Sequence, residues 1–111
     1  MRLITDDMIE AAVAWLNSNS DDISQARGAV IRSDYRAKKV LAKQMLAAEG
    51  PEWQRRARAT CSDDYEKAMD DVAGAEERWE GLKDKRNKLE LLCEAWRTQN
   101  ANERGIVRAA R

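Results

Sequence analysis

The chain has 111 residues, of which 36% are charged, with aromatics at only 5% and no Phe. That length allows one ordinary domain, or a smaller unit that completes its core by association, and the thin aromatic supply argues against a large self-sufficient core. There is no His to serve as the usual acid–base residue near neutral pH, and the single Pro in an otherwise charged, Ala-rich chain favours long helices over sheet.

The net charge of zero is a cancellation. Residues 1–26 carry one cation against five acids, and residues 27–58 carry nine cations against three acids. Residues 59–96 carry six cations against eleven acids, and residues 97–111 carry four against one. A chain divided in this way presents polarised surfaces.

In chain order, Thr5 followed by Asp6 and Asp7 predicts a helix start, with a capping hydroxyl and then acids at the positive end of the dipole. Met8, Val13, Trp15 and Leu16 give a short helix over about 6–17 its apolar contacts, and "NSNSDD" ends it. Ser20, Asp21 and Asp22 then cap a second, basic helix over about 21–48. Within it Ile23, Ala26, Val30, Ala37, Leu41, Met45 and Ala48 form one apolar stripe. Ile31, Tyr35, Ala42 and Leu46 form a weaker stripe on its flank, which suggests two neighbours. Gly28 interrupts the pattern at a cost of about 1 kcal/mol relative to Ala, and marks a bend or a close crossing.

Gly50 ends that helix and Pro51 opens a short basic helix over about 52–59. Ser62, Asp63 and Asp64 then cap the longest element, over about 63–102. It has a heptad pattern, with Tyr65, Val72, Trp79, Arg86, Cys93 and Asn100 at a, and Ala68, Ala75, Leu82, Leu89 and Trp96 at d. Arg86 and Asn100 are the polar members of this seam and set register or subunit number. Residues 103–111 form a basic, frayed tail. The expected fold is all-α: the basic helix pairs antiparallel with the long helix in a coiled-coil-like hairpin, and the short first helix packs across one end. Residues 1–111 form one domain. Tyr65, Val72, Trp79, Leu82, Arg86, Leu89, Cys93, Trp96 and Asn100 supply its core and a homo-oligomer interface.

The residues expected of an enzyme are missing. The paired acids Asp6/Asp7, Asp21/Asp22 and Asp63/Asp64 each stand at an expected helix start, where capping explains them. Cys61 and Cys93 have no His to activate them and form no CxxC pair. No Gly-rich phosphate loop is present. Catalytic residues, metals and cofactors are therefore not expected. The absence of a secretory signal or a long apolar run predicts a reduced, cytoplasmic protein without membrane contact.

"RSDYRAKKVLAK", residues 32–43, holds five cations and one acid, Asp34. Arg32, Arg36, Lys39 and Lys43 follow i, i+4, i+7, i+11 spacing opposite the apolar stripe, with Asp34 on the core side. A row of long cations suits a nucleic-acid backbone contacted without sequence preference. Arg55, Arg56 and Arg58 extend it after the turn, and Tyr35 and Trp53 are platforms for unpaired bases. Two other readings stay open: an electrostatic seam between subunits, and a solvated face.

The stretches "SDYRAKKVLAKQMLAAEG" and "YEKAMDDVAGAEERWEGLKDKRNKLELLCEAWRTQNANER" resemble a group of small helical proteins encoded by tailed phages and prophages. The group's closing motif corresponds to Trp96, Arg97, Asn102 and Arg104. More distantly, the layout is similar to the UvsY family of phage recombination mediators. That resemblance implies a ring-forming protein of the bacterial host cytoplasm that binds single-stranded DNA. The basic cluster would correspond to Arg36, Lys38, Lys39 and Lys43, and the partner would be a phage or host recombinase or single-strand-binding protein. The alternative is a structural, scaffolding or regulatory helical module of a phage with no DNA binding.

Overall fold

A computed structural model describes residues 3–110. Three helices follow one another: α1 (Asp6–Ala47), α2 (Glu52–Thr60) and α3 (Asp63–Ala110). The described residues contain no strand, so the all-α expectation holds. They divide into two compact units, residues 3–21 with 82–110, and residues 22–81. α1 and α3 each contribute to both.

The helix ends form where capping chemistry places them. Thr5 Oγ1 accepts the Met8 N–H at 3.2 Å, and Asp6 and Asp7 occupy the first turn. Gly50 takes φ 105°, a left-handed conformation that costs other residues about 1–2 kcal/mol. Pro51 then caps α2 in an extended conformation, and its carbonyl accepts the Gln54 and Arg55 N–H groups at 3.0 and 3.1 Å. Ser62 Oγ accepts the Tyr65 N–H at 3.2 Å and donates to the Ala59 carbonyl at 2.6 Å. One hydroxyl thereby ties the end of α2 to the start of α3.

Two expected boundaries are corrected. "NSNSDD" does not end a helix, and no separate short helix packs across an end: α1 runs unbroken from Asp6 to Ala47. The polar side chains bond back along the helix rather than capping a new one. Asn19 Nδ2 donates to the Trp15 carbonyl at 2.9 Å, and Ser20 Oγ to the Asn17 carbonyl at 3.4 Å. A heptad seam also crosses the stretch. Ile9, Ala12, Leu16, Asn19, Ile23, Ala26, Val30, Ser33, Ala37, Val40 and Gln44 alternate three- and four-residue steps, and all are buried or half-buried. The polar Asn19 hides its continuation toward Ile9 in the sequence. Ser33 is tolerated because its hydroxyl lies 2.7 Å from the Ala29 carbonyl and 3.1 Å from that of Val30.

The second correction is at the other end. Residues 103–110, expected to fray, continue α3 to Ala110; Arg111, the last of the expected tail, lies outside the described residues. A single Gly105 costs about 1 kcal/mol, and an already nucleated helix propagates through it when no Pro follows.

In the unit of residues 22–81, α1 and α3 run antiparallel. Ala37, Ala68 and Val72 form a buried cluster with Val40 and Tyr65 against it. Gln44 Nε2 donates to Asp64 Oδ2 at 3.1 Å, and the Arg27 guanidinium lies 5.7 Å from the centre of the Trp79 ring. Small residues at the seam allow close helix approach, but they bury little area each. In the other unit Ile9 and Ala12 are buried. Gln99 binds both backbone groups of Ile4, accepting its N–H at 3.3 Å and donating to its carbonyl at 2.9 Å. Trp96 Nε1 donates to Asp6 Oδ1 at 3.3 Å, and Lys85 Nζ lies 4.7 Å from the centre of the Trp15 ring. These pairings make the two helices antiparallel here too.

Candidate nucleic-acid interface

The burial pattern of α1 fixes which of its faces meets solvent. Val30, Ser33 and Ala37 are buried, while Arg32, Arg36, Lys39 and Lys43 are exposed. At about 100° per residue the four cations occupy an arc on the side away from the seam, over roughly 17 Å of helix axis. Among the described residues, none of the four is engaged in an ion pair. Asp34, expected on the core side, is instead exposed and pairs with Lys38 at 3.1 Å. One cation of the cluster is thereby engaged, and the single local acid is held on the flank, off the row.

Two details shape the row. Lys39 Nζ stands 4.8 Å from the centre of the Tyr35 ring, and Tyr35 itself is 62% exposed. A cation over an exposed ring is worth about 0.5–1 kcal/mol, little enough for a base or phosphate to displace it. Gly28 marks no helix crossing. The nearest neighbour of a Cβ there would be Arg32 Nη1 at 2.9 Å, so the guanidinium lies folded over the glycine.

Arg36 and Lys43 also border a shallow groove to which α3 contributes Asp64 and Asp71. Those carboxylates repel a phosphate, so the side of the row bearing Arg32 and Lys39 is the one that suits an anionic polymer. α2 does not prolong the row as a line. Arg55 is half-buried, with its Nε buried and without a hydrogen-bond acceptor. Arg56 faces Glu52 at 3.8 Å, and Arg58 is exposed in the last turn. At successive helical angles the three leave α2 in different directions. Trp53 is 70% exposed.

The seam of α3 follows the heptad. Val72 is buried, and Tyr65, Trp79, Leu82, Arg86, Leu89, Cys93, Trp96 and Asn100 are half-buried in the single chain. Cys61 and Cys93 are both free thiols.

The paired acids divide. Asp6/Asp7 and Asp63/Asp64 stand in first turns as expected, whereas Asp21 and Asp22 lie exposed inside α1, where capping does not explain them. Among the described residues, no group of three His, Cys, Asp or Glu side chains is placed to hold a metal ion, and no helix is long and apolar enough to cross a membrane.

Sequence reasoning found Ile23, Ala26, Val30 and Ala37 of the α1 seam but missed its continuation through Asn19 to Ile9, and it missed a second group of cations. Trp96, Arg97 and Arg104 of the closing motif line one groove together with Arg108, and Asn102 does not. The i, i+7, i+11 spacing of those three arginines was the available signal. No protein-family model, curated protein or solved structure matches the chain.

Proposed function

We propose that this protein is a non-enzymatic accessory of phage DNA recombination, mediator-like, which binds the backbone of single-stranded DNA as a homo-oligomer. The observation that carries the reading is the row of Arg32, Arg36, Lys39 and Lys43, four exposed cations on one face of α1, with the one acid of that stretch of helix, Asp34, paired with Lys38. An ordinary wet helix face mixes signs through i,i+4 pairs, and this one does not. The contacts are to phosphates, so they carry no base preference. Tyr35 offers an exposed ring for an unpaired base. Repetition of the row around an oligomer converts modest contacts into tight binding through avidity. The phage and recombination context rests on the resemblance of the basic and long helices to mediator proteins, and so does a recombinase or single-strand-binding protein as partner.

A second reading is favoured by the half-covered seam of α3. Trp79, Leu82, Leu89 and Trp96 are only partly buried by the single chain, which also suits a scaffolding module whose basic row lies between subunits. The variant Arg36→Glu/Lys39→Glu separates the two. With the row as a DNA face, the variant keeps its assembly state and melting temperature and loses retention of a single-stranded oligonucleotide. Dissociation in analytical ultracentrifugation with a lowered melting temperature would establish the row as a subunit seam instead.

A further inference from the structure

The extension of α3 to Ala110 makes an ordered row of what the sequence presents as a frayed tail. Arg97, Arg104 and Arg108 stand at i, i+7, i+11, within about 40° of one another around the helix. Arg32, Lys39 and Lys43 have the same spacing on α1. The three arginines line an open groove of about 740 Å³ with Trp96, Glu103 and, from the start of α1, Asp6.

Two hydrogen bonds hold the groove. Trp96 Nε1 donates to Asp6 Oδ1 at 3.3 Å, which fixes the indole and occupies an oxygen of that carboxylate. Arg104 Nε donates to the Asn100 carbonyl at 3.4 Å, leaving both terminal amino groups of the guanidinium for a ligand. Guanidinium groups bind phosphate oxygens in bidentate fashion and keep their charge at any physiological pH. The three arginines are spread over about 17 Å of helix axis at 1.5 Å per residue, a span that successive phosphates of one strand cover and a single small anion does not.

We infer that Arg97, Arg104 and Arg108 form a second backbone-binding row for single-stranded DNA, with the half-exposed Trp96 ring beside it as a surface for an unpaired base. This rests on the single-stranded DNA reading given above. The test is fluorescence anisotropy of a labelled oligodeoxythymidylate across a salt series. The proteins compared are the full chain, Arg97→Gln/Arg104→Gln/Arg108→Gln and the corresponding triple Lys variant.

Each phosphate contact on a single strand contributes about 0.7 to the slope of log K against log salt. The triple Gln variant therefore binds with a slope shallower by about 2 and at least tenfold more weakly at low salt, and the triple Lys variant keeps the slope. Wild-type slope and affinity in the triple Gln variant would overturn the second row while leaving the α1 row standing. Absence of binding by the unmodified chain would overturn both. Circular dichroism checks that the helix survives. If the triple Gln variant loses helix, Arg108→Gln alone, near the end of α3, decides the matter, with an expected slope shallower by about 0.7 and an unchanged slope against the inference.

Discussion

Around Tyr35 each charged neighbour has a different relation to solvent. Lys38 is engaged by Asp34, Lys39 lies over the ring, and Arg36 projects from an exposed position at the rim of the groove shared with α3. An exposed i,i+4 pair such as Lys38–Asp34 is worth about 0.3–0.5 kcal/mol, so its consequence is less for stability than for the field: it offsets the one negative charge within residues 32–43. Gly28 shows how little the local backbone requires. Its φ is not in the left-handed region, and the only close neighbour of a Cβ would be the mobile end of Arg32. Gly28→Ala should therefore stabilise the fold by about 1 kcal/mol, the difference in helix propensity, raising the melting temperature by several degrees without weakening DNA binding. A lower melting temperature would mean that the glycine fits against something the side chain must avoid.

At the scale of the elements, α1 separates what the sequence makes legible from what it hides. The turns are legible because their chemistry is local: Thr5, Gly50, Pro51 and Ser62 each act through their own backbone or through groups a few residues away. The α3 seam is legible because apolar residues fill nine of its eleven heptad positions, counting Cys93. The α1 seam is legible only from Ile23 to Ala37; its continuation toward Ile9 is hidden because Asn19 occupies one of its positions, and a run of Asn, Ser and Asp resembles a loop when packing is out of view. Tertiary burial of Ile9, Ala12, Ile23 and Ala26 on either side carries the helix through. The basic row survived this error because its register depends on Val30 and Ala37, which are assigned correctly in either version. Arg104 and Arg108 did not, since a frayed tail has no face to align them with Arg97. Ser18→Pro tests the continuous helix. Proline inside a helix costs about 3 kcal/mol or more, so the variant should show a large loss in thermal stability by circular dichroism. A melting curve like that of the unmodified chain would restore the two-helix version.

At the scale of the whole molecule, the seam residues set what the chain does alone and what it leaves for a partner. The most buried positions are mostly alanines and valines, while the tryptophans and leucines of α3 are partly covered. Burying an apolar side chain completely is worth about 1.5–3 kcal/mol, so much of the free energy available in Trp79, Leu82, Leu89 and Trp96 is still to be gained. Association of copies would gain it, and would also repeat the α1 row around the assembly. The central claim is that this row neutralises the backbone of single-stranded DNA. The most direct measurement is anisotropy of labelled single-stranded and duplex oligonucleotides, titrated with the unmodified protein over a salt series. The account predicts binding to the single strand that weakens log-linearly with salt, with a slope of about −3 or steeper for four or more phosphates per protomer. No binding to the single strand at about 50 mM salt, where such contacts are strongest, would contradict it.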